Sequence, residues 1–246
     1  MRNSITFRVW GKNAIFSDPI TKIGGELCTY QVPTYEALKG IASAIYWKPT
    51  FVWVIDRVKI VNPIRTESKN IKLHMNDNSS GLYRYTYLYD VEYIVQAHIE
   101  WDYSREDLEH DRNENKHHNM AKRYLAKGGK RDLFLGKREC VAFVEPCEWD
   151  DYESSYKDDL LSFGIMFHSF QYPNKDDLKL YAHLDNIIMQ NGVINFTRPE
   201  NCTLKRVVSE LKVPKKKNAK NELDIIGTIQ FNDLNDEEII QEGETQ

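Results

Sequence analysis

The order of periodic segments predicts an α+β fold, a ferredoxin-like β-α-β-β-α-β unit followed by a small antiparallel β C-terminal appendage. Three observations carry that expectation. Residues from Tyr83 to Trp101 alternate without a break. Two segments with apolar residues at helical spacing lie on either side of that alternation. An Asn191-Gly192 pair separates two later apolar runs.

Ile5, Phe7 and Val9 alternate with Thr6, Arg8 and Trp10, which predicts a first strand ending near Gly11. Breakers follow at Asp18-Pro19 and Gly24-Gly25. Thr34 is a candidate N-cap for a helix whose apolar stripe is Tyr35, Leu38, Ile41, Ala42 and Ile45, and Pro49 bars it from continuing past Trp47. Phe51 to Val61 is rich in aromatic and β-branched residues and reads as a buried strand. Tyr83, Tyr85, Tyr87, Tyr89, Val91, Tyr93, Val95, Ala97, Ile99 and Trp101 then form one face of a long strand. Such a face can stack RNA bases, but its simpler use is as core. A second helix is predicted over Asn113 to Ala126, with His117, Met120, Ala121 and Tyr124 on one side and Gly128-Gly129 at its end. Lys130 to Glu139 reads as a basic loop and Val141 to Cys147 as a strand. An acidic, solvated loop over 148–159 leads to strands at Phe163–Phe170, Leu178–Met189 and Val193–Phe196. The expected division is 1–147, 148–213, and a tail from 214 that begins Lys-rich and turns acidic.

The composition, 41% hydrophobic and 28% charged, is that of a globular domain, and no run of 18 apolar residues marks a membrane span. Cys28, Cys140, Cys147 and Cys202 lie far apart without a CxxC pair, which suggests reduced thiols in a cytoplasmic protein rather than disulfides or a metal site. The strand-like start leaves no room for a signal peptide.

A net charge of −4 argues at first against a nucleic-acid partner. The average conceals an asymmetry. Residues 221–246 carry eight acidic side chains and no basic one, so the rest of the chain is net +4. Arg112, Lys116, Lys122, Arg123, Lys127, Lys130, Arg131, Lys137 and Arg138 face only Glu114 and Asp132, a local net of +7. Clusters of this kind bind phosphates by releasing counterions, and they also occur as plain solvated helix faces.

No GxGxxG, P-loop, HExxH or GxSxG is present, and no compact carboxylate set suited to two metal ions. What remains is Lys116-His117-His118 within the basic segment. RNA carries its own nucleophile, the 2′-hydroxyl. Cleavage needs removal of that proton, protonation of the departing 5′-oxygen and a cation for the phosphorane charge. Histidine and lysine supply these functions with no cofactor. The competing reading is that His117 packs in the core on the stripe of Met120, Ala121 and Tyr124.

Further strings bear on the choice. They are Thr21-Lys22-Ile23-Gly24-Gly25-Glu26, Val32-Pro33-Thr34-Tyr35-Glu36-Ala37-Leu38-Lys39-Gly40-Ile41 and Ile45-Tyr46-Trp47-Lys48-Pro49. Asp111-Arg112-Asn113-Glu114, Lys116-His117, Gly129-Lys130-Arg131-Asp132, Phe134-Leu135-Gly136, Arg138-Glu139-Cys140 and Pro146-Cys147-Glu148 follow in order. Together, over about residues 1–205, they resemble the type I-C (Dvulg subtype) CRISPR-associated endoribonucleases of the RAMP superfamily. The resemblance implies an RRM-like N-terminal domain that cuts precursor CRISPR RNA at the 3′ base of the repeat hairpin, without metal or other cofactor. The expected products are a cyclic phosphate and a 5′-hydroxyl. It places the family's catalytic Tyr, Lys and His on Tyr46, Lys116 and His117, with His118 as a neighbouring imidazole. It also implies that the protein stays on the guide RNA and joins the backbone and large subunits of the type I-C surveillance complex. Two rivals stand beside this: a non-catalytic subunit gripping the 5′ handle, and a general RNA-binding domain, for which no RNP1-like motif is present.

The acidic tail has no counterpart in the resemblance. Screening confines an undocked tail's field to about 8 Å at physiological salt. Truncation after Lys220 is therefore expected to leave hairpin cleavage within about threefold of wild type, under ~0.7 kcal/mol in barrier. A cleavage time course of the truncated, folded protein checks this, and loss of cutting would place the tail in the active domain.

Overall fold

The structure, a computed structural model, describes residues 3–18, 21, 26–74, 80–174, 177–202 and 204–210. The Pro19 and Gly24-Gly25 breakers, the 213/214 boundary and the tail lie outside the described residues.

Strand β1, Ser4–Ala14, buries Ile5, Phe7 and Val9, because alternate side chains of a strand leave on opposite faces. After the short strand β2, Leu27–Cys28, helix α1 runs over Tyr35–Ile45. Thr34 caps it, its hydroxyl oxygen accepting the Ala37 N–H at 3.2 Å. The buried stripe Tyr35, Leu38, Ile41, Ala42 and Ile45 is the one its spacing predicts. Strand β3, Phe51–Ile60, then leads through β4, Thr66–His74, to β5, Ser80–Trp101. A 3₁₀ turn at Glu106–Asp111 precedes helix α2, Glu114–Ala126, which is followed by β6, Leu133–Phe134, and β7, Val141–Pro146. Strands β8, Leu160–Gln171, β9, Lys179–Gln190, β10, Val193–Asn195, and β11, Leu204–Glu210, complete the described chain. The class is α+β. No helix among the described residues is long and apolar enough to cross a membrane.

At the centre, β5 is flanked by β1 and β3, with β7 beyond β1, all antiparallel. Ile5 stands opposite Ala97, Phe7 opposite Val95 and Val9 opposite Tyr93, so one face of three strands is continuously apolar. Strand β10 adds to β3 through Ile194 opposite Val58, and the path continues into β9, with β8 and β11 paired on its two sides.

Three features depart from the expectation. The long alternation is core from Tyr87 onward except at Tyr89, which is exposed beside Asp90, a residue with φ of 54°. Strand β4 hairpins with the first half of β5, Ile71 opposite Tyr83, although few of its residues are apolar and none from Thr66 to Lys72 buries fully. The acidic loop does not simply project into solvent: the carbonyls of Trp149 and Tyr152 accept from Lys59 Nζ at 2.6 and 3.0 Å, and the Trp149 ring lies 3.8 Å from the Arg57 guanidinium.

The two helices are tied by backbone. An α-helix leaves its last carbonyls without partners. Here the N–H groups of Lys130 and Arg131 reach the α1 carbonyls of Ile45 and Ala44, both at 3.1 Å. The chain turns back to make these bonds through Gly128 and Gly129, with φ of 82° and 104°. A side chain at 129 would be strained in that region and would also press on Leu133. Gly129→Ala is therefore expected to destabilise the protein by more than about 1 kcal/mol. Thermal melting checks this, with a drop of at least roughly 2–4 °C expected for a domain of this size.

Candidate active site

Tyr46 is the first residue past α1. Its extended backbone (φ −160°) turns the chain out of the helix. The Trp53 indole N–H holds the Tyr46 carbonyl at 2.7 Å from within the sheet. The Tyr46 ring stacks on Tyr124 of α2, with centroids 5.7 Å apart and planes 13° from parallel. On α2, Asn113 is the N-cap, its side-chain oxygen accepting the Lys116 N–H at 3.0 Å. This register turns His117, Ala121 and Leu125 inward and leaves Lys116 on the rim.

The structure brings Tyr46, Lys116 and His117 together, although Tyr46 and Lys116 are 70 residues apart in sequence. The Tyr46 hydroxyl is 2.9 Å from His117 Nδ1, and His117 Nε2 is 2.8 Å from the backbone oxygen of Asp111. A carbonyl only accepts, so Nε2 carries a proton, and in the neutral ring Nδ1 is the acceptor to which Tyr46 O–H donates. Burial, reinforced by Asp111 and Tyr124, pushes the Tyr46 phenol above its ordinary range and keeps it a donor. His117 is fully buried among Phe51, Trp101 and Tyr46. Lys116 is half exposed, and its ammonium pairs with the Asp111 carboxylate. Thr50 donates its hydroxyl to the same carboxylate at 2.7 Å. These contacts, that of Lys116 first, hold the Asp111 carboxyl down at about 2.

His118 lies on another side of α2. It is half-buried, its Nδ1 has no hydrogen-bond partner, and burial lowers its pKa, with Lys122 adding to the effect. The basic residues separate into groups. Lys130 lies over Tyr124, 5.8 Å from its centroid, and with Arg131 lines a recess of about 490 Å³ against Phe134, Val141 and Phe143. Lys122, Arg123, Lys127 and Arg138 are exposed. Lys137 instead lies over Tyr85 at 4.3 Å and lines a different recess with Glu36. Arg112 is turned inward on the carbonyls of Asp102 and Arg105 and stacks on Tyr103.

For a metal ion, one grouping among the described residues offers three ligand atoms within 4.8 Å: His168, Asp185 and Cys202. Burial pushes the Cys202 thiol up to about 11, and its sulfur donates to the Arg198 carbonyl, so it rests protonated rather than as the thiolate a metal needs. Sequence reasoning missed Asp111 and Thr50. Their signal was an acidic residue two positions ahead of the α2 N-cap and a threonine just after Pro49.

The family described as CRISPR-associated protein (Cas_Cas5), in its Cas5d form, matches residues 4–197. The chain belongs to the Cas5d family. It is 30% identical to a CRISPR pre-crRNA endoribonuclease, Cas5d, of Mannheimia succiniciproducens, over 79% of this chain and 95% of that protein. A crystal structure of a CRISPR-associated protein superposes with a TM-score of 0.68 at 34% identity, covering 82% of this chain and 96% of that one. A functionally uncharacterized protein from Streptococcus mutans superposes with a TM-score of 0.66 at 36% identity, with the same two coverages.

The Asp111 pairing carries a pH signature. Its folded value of about 2 lies below the ordinary aspartate value of about 3.9. The stabilisation it contributes is thus complete above about pH 4 and lost as pH falls toward 2. Asp111→Asn is expected to flatten the loss of stability between pH 4 and 2 in denaturant titrations. A curve parallel to wild type would show that the pairing contributes nothing.

Proposed function

We propose that this Cas5d-family protein is a metal-independent endoribonuclease that cuts precursor CRISPR RNA at the 3′ base of the repeat hairpin. The observation that carries the reading is the Tyr46 hydroxyl on His117 Nδ1, with the Lys116 ammonium at the rim beside it. A family relative bearing the endoribonuclease name supports it. We also infer that the core is the ferredoxin-like unit, since the β3-β5-β1-β7 order with a helix between β1 and β3 and another between β5 and β7 is what that connectivity produces. Residues 148–213 are then its β appendage.

The chemistry follows from the residue types. The 2′-hydroxyl beside the scissile phosphate attacks phosphorus and loses its proton. The bond from phosphorus to the 5′-oxygen breaks, and that oxygen takes up a proton. The products are a 2′,3′-cyclic phosphate and a 5′-hydroxyl. Lys116 meets the phosphate and offsets the charge that grows on its oxygens. His117 presents the Nδ1 lone pair for proton transfer, with Nε2 held from behind. Tyr46 O–H occupies that lone pair, so a proton passing to or from Nδ1 passes by way of the Tyr46 hydroxyl.

Lys130, over the Tyr124 ring that stacks on Tyr46, and its neighbour Arg131 supply cations for the hairpin backbone. The opposite face of the sheet suits RNA less well. There Arg8 is paired with Glu92 and Glu145, each at 2.7 Å, and Lys59 and Arg57 are engaged by the Trp149 loop. This disfavours a general RNA-binding domain reading bases on the open sheet. After cutting, the protein remains on the 5′ handle of the guide and joins the backbone and large subunits of a type I-C surveillance complex.

Purified protein incubated with a repeat hairpin in EDTA is expected to cut it once, leaving a cyclic phosphate and a 5′-hydroxyl. A single 2′-deoxy substitution at the cut site is expected to abolish cutting while leaving affinity within a few-fold. No cleavage under any condition, with tight hairpin binding retained, would favour the non-catalytic handle-binding subunit. Cleavage of the 2′-deoxy substrate would exclude the proposed chemistry.

A further inference from the structure

We infer that Asp111, anchored by Thr50, is a positioning residue that orients both Lys116 and His117 for RNA cleavage. This rests on the reading of Tyr46, Lys116 and His117 given above.

Asp111 touches the side chains of both Lys116 and His117 through different atoms. Its backbone oxygen accepts from His117 Nε2 and from the Asn113 N–H, both at 2.8 Å, which uses both lone pairs of that carbonyl. Its carboxylate takes the Lys116 ammonium on one oxygen and the Thr50 hydroxyl, at 2.7 Å, on the other. The second carboxylate oxygen also lies 3.4 Å from His117 Nε2.

The consequences are chemical. An imidazole has two neutral tautomers, and only the one protonated at Nε2 leaves a lone pair at Nδ1, the nitrogen that faces Tyr46. The Asp111 carbonyl selects that tautomer, as an orienting partner does for a catalytic base. Its own position is fixed by the side chain of the same residue, clamped between Thr50, in the turn just before β3, and the first turn of α2. Thr50 is itself buried, and its carbonyl accepts the Asp102 N–H at 3.0 Å, so the anchor belongs to the sheet and not to the surface turn. Lys116 has a long, half-exposed side chain with many rotamers, and a fixed anion at its head restricts where the ammonium stands before RNA arrives. A carboxylate held near 2 stays charged throughout the pH range in which RNA is processed.

The test separates single-turnover cleavage from hairpin affinity. Asp111→Ala is expected to slow single-turnover cleavage at least tenfold, and Asp111→Asn by less, because the amide keeps an acceptor for Thr50 but loses the charge for Lys116. Hairpin Kd should stay within threefold in both. Thr50→Val should slow cleavage several-fold, and Thr50→Ser, which restores the hydroxyl, should recover it to within twofold of wild type. A residue that merely holds the fold would lower affinity and melting temperature along with rate and would not distinguish Val from Ser at position 50. Lys116→Ala, measured in parallel, tells the two failures apart. If it is inactive while Asp111→Ala cuts at or above the wild-type rate, the positioning role is overturned and the catalytic reading stands. If Lys116→Ala itself cuts normally, the catalytic reading falls and the positioning role with it.

Discussion

A buried imidazole with both nitrogens engaged is the constraint on which the arrangement depends. His117 receives the Tyr46 hydroxyl on one side and donates to the Asp111 carbonyl on the other, with no solvent to replace either bond. A lost partner would leave a polar atom buried and unpaired, at a cost of about 1–3 kcal/mol. The two bonds therefore specify where α1 ends, how α2 is rotated and which carbonyl precedes its N-cap. The same bonds that make the site rigid set its proton inventory, because an acceptor at Nε2 and a donor at Nδ1 admit one neutral tautomer. Structure and chemistry are here one interaction seen twice.

The remainder of the fold supports that pairing. Trp53 fixes the Tyr46 carbonyl from β3, Tyr124 stacks on the Tyr46 ring from α2, and the Gly128-Gly129 turn returns Lys130 and Arg131 to the end of α1. The last of these does two jobs. It satisfies helix carbonyls that would otherwise lack partners, and it carries two cations to the edge of the site. Helix termination and the placement of two cations are thereby encoded in the same short segment. On the far face of the sheet, by contrast, the arginines and lysines are spent on internal ion pairs and on the Trp149 loop.

Much of this was legible in the sequence, for identifiable reasons. Thr34, the Gly128-Gly129 pair and the apolar stripes of α1 and α2 gave both helices to within a residue or two, because capping, chain breaks and 3.6-residue spacing are local properties. The alternation in β5 was equally local. Strands β4 and β11 were not legible, since one buries no residue fully from Thr66 to Lys72 and the other is exposed along its whole length; pairing with a neighbour, not side-chain pattern, holds them. At the site, Lys116-His117 stood out as a charged imidazole pair, and Tyr46 was recognisable only through the resemblance. Asp111 and Thr50 carried only a positional signal, one ahead of a helix N-cap and the other after a proline: their roles exist only when a turn, a strand start and a helix start converge. The alternative that His117 is a core residue was correct about its burial, and burial is what gives the ring a single tautomer.

The central claim is that His117, and not its half-buried neighbour His118, performs proton transfer. The most direct test is the single-turnover cleavage rate of His117→Ala and His118→Ala on one repeat hairpin, with affinity measured on the same preparations. The account predicts that His117→Ala loses cleavage while binding the hairpin within a few-fold of wild type, and that His118→Ala cuts at a rate close to wild type. Normal cutting by His117→Ala, with cutting lost in His118→Ala, would contradict it and leave the buried ring a purely structural part of the core.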